Sequence, residues 1–216
     1  MTRRPARTAI LASGRGSNAA ALLAAAATPG FPAEIVLVLS NQPGAGVLDL
    51  ARAAGVPAMC LDHRPFGRDR AAHEAAIHAV LESHGVDLVC LAGYMRLLTP
   101  YLVERWAGRM LNIHPSILPA FPGLHSHARA LAAGAKLHGC TVHLVTAVMD
   151  DGPILAQAAI PVLPGDDEDS LAARVLVQEH RLYPAALAAL ASGEPPAMPT
   201  ADMALLNPLP VSPATP

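Results

Sequence analysis

The segment Leu111-Asn112-Ile113-His114 runs straight into Pro115-Ser116 and brings together two side chains able to act on a carbonyl group. Asn112 offers an amide donor for a developing oxyanion, and His114 is the side chain best matched to proton transfer near neutral pH. In an extended chain residues two apart project to the same side, so both can face one reacting carbon. A lone histidine at a strand end hydrogen-bonds a loop carbonyl just as readily; what favours chemistry is a carboxylate further along. Asp150 sits in the turn Met149-Asp150-Asp151-Gly152-Pro153. A carboxylate beside an imidazole stabilises the imidazolium and keeps a general acid protonated. Spacing alone does not bring Asp150 to His114, nor does it prefer Asp150 to Asp151.

A second candidate is Ser13-Gly14-Arg15-Gly16-Ser17-Asn18, between a first strand and a first helix. Glycines let the backbone approach a ligand closely, and the free N–H groups of a helix start favour an anion, so a phosphate is the natural guest. The spacing is neither a Walker loop nor G-x-G-x-x-G, and a tight turn capped by Ser17 or Asn18 would use the same residues. His125, His127, His138 and His143 raise the question of a metal. No histidine pair at helical ligand spacing and no cysteine partner accompanies them, so no metal is expected. Glu179-His180 falls on the last helix, where it could equally be solvated, and His63, His73, His78 and His84 read as surface or partly buried residues.

The elements that must position these groups are visible as apolar runs alternating with Ala-rich helical stretches, the mark of a parallel sheet covered on both faces. Strands are expected at 8–12, 34–40, 57–61 and 87–92, with helices at about 17–27, 47–54 and 69–84 between them. A short strand at 110–113 precedes a segment in which Pro115 and Pro119 forbid a long regular element. The alternating run 140–146 and the extended run 154–162 flank the Asp-Asp-Gly-Pro turn and predict a hairpin. A helix over 170–190 follows Asp166-Asp167-Glu168-Asp169, whose charge suits a helix N-terminus. The fold class is therefore a doubly wound, mostly parallel α/β sheet with helices on both faces, completed by a C-terminal β-hairpin and a long helix.

Composition narrows the function. At 216 residues the chain is one domain in size, and 52% hydrophobic against 15% charged residues excludes a disordered chain. A net charge of -2 gives no field for a nucleic-acid backbone or an anionic membrane, and 3% aromatics argue against base stacking. Cys60, Cys90 and Cys140, without paired spacing, read as reduced core thiols of a cytoplasmic protein. Ser13 to Asn18 interrupts the first apolar stretch, against an export signal, and no apolar run approaches the roughly 18 residues of a membrane span. Seven of the 21 prolines fall in 193–216, so a catalytic domain over 1–192 is expected to be followed by a tail ordered weakly or only by docking.

Taken together, these motifs resemble the phosphoribosylglycinamide formyltransferases, folate-dependent enzymes of purine synthesis, from Thr8 to Leu190. Beside the segments above, the match is carried by Leu91-Ala92-Gly93-Tyr94-Met95-Arg96, Ile117-Leu118-Pro119, Phe121-Pro122-Gly123-Leu124-His125, His138-Gly139-Cys140-Thr141-Val142-His143 and Gln178-Glu179-His180. The resemblance implies that Asn112, His114 and Asp150 form the catalytic trio; Asp151 falls at a variable position of the motif. It implies that Gly16, Ser17 and Asn18 hold the phosphate of glycinamide ribonucleotide, with Leu176, Val177, Gln178 and Glu179 against the rest of that substrate. The co-substrate would be 10-formyltetrahydrofolate, enclosed by Met95, Arg96, Leu97 and Leu98, by Thr146, Ala147, Val148, Met149 and Asp150, and by Asn112. Arg70 matches a folate-contacting arginine, although Arg68 lies close. Many relatives are acidic where Ala147 and Val148 stand.

The partners implied are small molecules, with no metal, nucleic acid or membrane, and the chain is expected to be a monomer or weak homodimer. Two relatives of the same catalytic domain differ in their additions. Formyltetrahydrofolate hydrolases carry an N-terminal regulatory domain, for which a first strand at Thr8 leaves no room. Methionyl-tRNA formyltransferases carry a C-terminal nucleic-acid-binding domain, for which 193–216 is too short and uncharged. A non-catalytic nucleotide-binding module would not need Asn112, His114 and Asp150 together.

Overall fold

The computed structural model describes residues 4–193. The first apolar run forms β1 (Ala6–Ala12), whose last five residues are buried, as a strand covered on both faces requires. From it α1 (Ser17–Ala26), β2 (Ala33–Ser40), α2 (Gly46–Ala53) and β3 (Ala58–Cys60) carry the sheet outward in parallel. Helix α3 (Arg70–Ser83) returns the chain to the other side of β1, where β4 (Leu88–Leu91), α4 (Pro100–Arg105) and β5 (Met110–His114) continue the parallel sheet. After α5 (Ser126–Ala132) the strands β6 (Leu137–Leu144) and β7 (Ile154–Pro161) add on antiparallel, and α6 (Glu168–Ser192) closes the domain. The order β3-β2-β1-β4-β5-β6-β7 reverses direction between β1 and β4. There the loops leaving the two strand ends diverge, and a crevice opens at the carboxyl edge of the sheet.

Alternation along β1 divides the core. Ile10 and Ala12 pack with Leu22, Leu48, Tyr183 and Leu187 under α1, α2 and α6. Ala9 and Leu11 pack with Ile77, Leu81, Leu102 and Trp106 under α3 and α4. The buried Tyr183 hydroxyl lies 3.0 Å from the Leu91 carbonyl and 3.2 Å from that of Leu111, which ties α6 to the end of β4 and to β5. The acidic stretch starts α6 as expected. Asp167 accepts from the Ser170 amide at 2.8 Å while Ser170 Oγ accepts from the Asp167 amide at 3.0 Å, a reciprocal cap.

The differences from the sequence reading are local. Strand β6 starts at Leu137, before the expected 140, because His138 and Gly139 pair with Ile160 and Ala159, and it ends at Leu144 rather than 146. Helices α4 and α5 were not foreseen; each is too short to show an apolar period. Cys60 ends the edge strand β3 and is exposed, unlike Cys90 and Cys140, whose thiols burial pushes up to about 12. His73 is fully buried rather than superficial, with Nε2 2.9 Å from the Leu61 carbonyl. The proline-rich tail lies outside the described residues except for Gly193, the C-cap of α6. Among the described residues no helix is long and apolar enough to cross a membrane. A cavity of about 300 Å³ lined by Arg4, Ala6, Asp87, Leu88, Arg109, Leu190 and Ala191 lies at the opposite, amino edge of the strands and shares no residue with the crevice.

Candidate active site

The antiparallel step from β5 to β6 places Asn112 opposite His143 and His114 opposite Thr141. His114 Nε2 donates to the Phe121 carbonyl at 3.0 Å, and Nδ1 stands 3.4 Å from Asp150 Oδ2. Both ring nitrogens therefore face oxygen acceptors, an arrangement the doubly protonated imidazole satisfies completely. The bond to a loop carbonyl expected of an isolated histidine is present, and it orients the ring so that Nδ1 faces the carboxylate. The two side chains are only 7% and 8% exposed, so little solvent weakens their interaction.

The structure brings Asp150, and not the exposed Asp151, to this point. Asp150 has φ +56°, an uncommon value for a non-glycine residue, and its Oδ2 accepts from the Gly123 amide at 2.8 Å. Its Oδ1 is 3.7 Å from His143 Nε2. Burial pushes this carboxyl up, but the His143 contact, the Gly123 N–H and the nearby His114 outweigh it, and the net value lies below the ordinary 3.8.

His143 is the residue that sequence reasoning missed. It is buried to 2% exposure; its Nδ1 lies 3.0 Å from the Leu144 carbonyl and its Nε2 3.1 Å from the Asn112 amide nitrogen. The latter contact sets the rotation of the Asn112 carboxamide. Alternation in 140–146 already placed Thr141 and His143 on one face; the missing information was the register against β5. Thr141 anchors the irregular segment after His114, donating to the Ser116 carbonyl at 2.7 Å and accepting from the Leu118 amide at 3.0 Å.

On the other wall of the crevice Gly16 is the N-cap of α1 with φ +85°, and a Cβ there would fall 2.6 Å from Val47 Cγ2. Only glycine fits. Neither Ser17 nor Asn18 caps the helix, contrary to the turn reading. Instead Asn18 Nδ2 donates to Glu179 Oε2 at 2.6 Å, while Asn18 Oδ1 is buried without a partner. The first-turn amides of α1 are thus uncovered by any side-chain cap, a helix start able to receive an anion. Glu179 is 7% exposed rather than solvated; burial pushes its carboxyl up against the opposing effects of Asn18 and His114. Leu176 and Gln178 are half-buried beside it on α6, and Val177 is exposed.

Between these walls the loops hold out apolar side chains. Met95 and Leu97 after β4, and Val148 and Met149 in the β6–β7 turn, are 56% to 75% exposed. Arg96 and Leu98 are half-buried, Ala147 is exposed, and Thr146 Oγ1 donates to the Val148 carbonyl at 3.1 Å. Arg70, the first residue of α3, donates to the Leu97 carbonyl at 3.4 Å, so Arg70 rather than Arg68 is the arginine seen on this loop. Such a group of exposed apolar side chains around a crevice marks a ligand face. Among the described residues no set of three or more His, Cys, Asp or Glu is arranged to hold a metal ion.

A helix start suited to a phosphate, an apolar slot, and an amide, an imidazole and a carboxylate between them define a group-transfer enzyme of the doubly wound class. The chain belongs to the formyl transferase family, whose domain matches residues 6–187. It is 48% identical over 191 residues to the phosphoribosylglycinamide formyltransferase of Mycobacterium tuberculosis, covering 87% of this chain and 86% of that one. It is 47% identical over 195 residues to the trifunctional purine biosynthetic protein adenosine-3 of Drosophila melanogaster, covering 89% of this chain but only 14% of that much longer protein. Among solved structures, phosphoribosylglycinamide formyltransferase from Brucella melitensis superposes with a TM-score of 0.84 at 56% identity, over 88% of this chain and 97% of that one.

Proposed function

We propose that this enzyme transfers the formyl group of 10-formyltetrahydrofolate to the amine of N1-(5-phospho-D-ribosyl)glycinamide, a step of purine biosynthesis. The observation that carries the reading is the meeting of Asn112, His114 and Asp150 between a phosphate-type helix start and an apolar slot. The ribonucleotide phosphate sits on the amides at Gly16, Ser17 and Asn18. The unpartnered Asn18 Oδ1 and the Glu179 carboxyl, both acceptors, suit the hydroxyl or amine hydrogens of its sugar and glycinamide parts. The folate ring enters between Met95 to Leu98 and Thr146 to Asp150, with Arg70 near its acidic end.

The amine attacks the formyl carbon as a neutral nucleophile; a C–N bond forms and the carbonyl electron pair moves onto oxygen. That oxyanion is met by the Asn112 amide, whose rotation His143 sets, with the His114–Asp150 pair beside it. Collapse breaks the bond to the folate nitrogen, which takes up a proton as the attacking nitrogen loses one. His114 and Asp150 are the groups placed to move it. Holding both substrates in one crevice makes the encounter effectively unimolecular. The test is a side-by-side assay of formyl transfer to glycinamide ribonucleotide, to charged initiator tRNA and to water. Transfer to the ribonucleotide is expected to dominate, and dominant hydrolysis or tRNA formylation overturns the reading.

A further inference from the structure

The Ser13 hydroxyl sits where β1 and β4 part, and its bonds join two loops that the proposed reaction uses for different substrates. Ser13 opens the loop leading to Gly16 and the start of α1. Its amide donates to the Gly93 carbonyl at 3.0 Å, and its Oγ accepts from the Met95 amide at 2.8 Å. Gly93 and Met95 belong to the apolar loop after β4. The one hydrogen of the hydroxyl goes to Asn41 Oδ1 at 2.6 Å. Asn41 is 1% exposed and follows β2; its Nδ2 lies 3.2 Å from His63 Nδ1, the atom that also lies 2.9 Å from the Asn41 carbonyl. Asn41 is thus held beside Ser13 by its own contacts with His63. Through its amide and its hydroxyl Ser13 therefore ties the start of the ribonucleotide loop to both Gly93 and Met95.

The rest of the ribonucleotide loop is fixed from the same side. The Val47 amide donates to the Gly14 carbonyl at 3.2 Å, and Val47 walls in Gly16. Yet Gly14 and Arg15 on one loop, and Gly93 and Met95 on the other, are exposed. These are two solvent-facing loops, each a ligand contact, sharing one half-buried anchor. A ligand that orders one of them orders the anchor, and so lowers the cost of ordering the other. No third element is needed for this.

We propose that Ser13, held by Asn41, is a positioning residue that couples the ribonucleotide and folate subsites, so that each substrate tightens the binding of the other. This rests on the function proposed above. Coupling of this kind is reciprocal and is read directly as a ratio of dissociation constants. The experiment uses glycinamide ribonucleotide and tetrahydrofolate, a pair that carries no formyl group and so does not react. Calorimetry on the full chain measures the Kd of each with and without a saturating amount of the other.

For the wild type each is expected to bind about 5-fold tighter or better in the presence of its partner. Ser13→Ala is expected to bring that ratio close to one, while each ligand alone still binds and the melting temperature stays near that of the wild type. Ser13→Thr, which keeps the hydroxyl, and Asn41→Asp, which keeps its acceptor, are expected to retain the coupling. A merely structural role for Ser13 would weaken both ligands without changing the ratio. The inference is overturned if Ser13→Ala keeps the wild-type ratio, or if the wild type binds both ligands with no coupling; in either case the proposed reaction stands. If the wild type binds neither ligand, the reading of function itself falls and takes this inference with it.

Discussion

The two halves of the sheet bring different tools to one crevice. In the parallel half, β1 to β4, the groups facing the crevice are largely backbone: the start of α1 behind Gly16, and the loop from Gly93 to Thr99 held by Ser13 and Arg70. In the antiparallel half the groups are side chains fixed by cross-strand register, with Asn112 against His143 and Asp150 brought back by the hairpin turn. Backbone donors at a helix start can hold a charged ligand whatever side chains surround them, provided the turn forms. Stabilising charge that appears only during reaction needs groups held within a fraction of an ångström, which paired strands supply better than loops. Substitutions in the parallel half should thus change binding, and those in the antiparallel half should change turnover.

The sharpest separation is expected for His114→Ala. On the proposed reaction it removes the imidazole that moves the proton, so kcat should fall on the order of 10³-fold while the KM for glycinamide ribonucleotide changes little. Steady-state kinetics with each substrate varied decides the matter, since an equal rise in KM would place His114 in binding instead. Asp150→Asn keeps the shape of the turn and the acceptor for the Gly123 amide but removes the charge beside His114. A loss of kcat of about 10²-fold is expected.

The same variant carries a pH signature. In the folded chain Asp150 stays ionised below the ordinary aspartate value of 3.8, so its contribution to stability is complete above that value and is lost as pH falls towards the depressed one. Asp150→Asn should therefore flatten the acid side of the stability curve measured by urea denaturation. An unchanged curve would mean that the three groups around Asp150 do not hold its charge.

The same division explains what could be read from the sequence. The parallel half was legible because its strands are apolar runs and α2 and α3 stop just before Gly55 and Gly85; Thr8 to Ala12 and Asp87 to Ala92 could hardly be anything else. Asn112 and His114 were legible from strand alternation. His143 was not, because whether it opposes Asn112 depends on the register of β6, which neither period nor propensity fixes. Of the two roles the sequence left open for Asn18, helix capping fails for a related reason. Local sequence offered it a helix to cap, whereas a carboxylate 161 residues away, on α6, offered it a buried, charge-assisted partner. The choice between Asp150 and Asp151 came from resemblance and then from the fold, never from spacing.

The hairpin itself can be broken without touching a reacting group. Gly152 passes so close to β6 that an added Cβ would lie 1.7 Å from the Leu144 carbonyl oxygen. Gly152→Ala must push the turn away from the strand, at a cost of about 2 kcal/mol in denaturant unfolding, and carries Asp150 with it. Turnover should drop while ribonucleotide affinity holds. If instead the variant lost ribonucleotide binding at full turnover, the division of labour between the two halves would be wrong.

The smallest effect expected is also the one that probes where the halves meet. Asn18→Ala removes the donor to Glu179 and the buried acceptor Oδ1 while leaving the α1 amides in place. The phosphate keeps its backbone donors, so affinity for glycinamide ribonucleotide should fall only about 10-fold, the worth of about one hydrogen bond, with kcat nearly unchanged. Glu179, already pushed above its ordinary value of 4.5 by burial, would lose the contact that opposes burial and rise further. A carboxyl raised in the folded state costs stability as pH climbs from its unfolded value through the folded one, so this variant should lose more stability than the wild type between acid and neutral pH. Parallel measurements of KM for both substrates complete the test. A tenfold change confined to the ribonucleotide keeps Asn18 with the parallel half, whereas a matching change in the folate KM would mean that α6 transmits strain across the crevice.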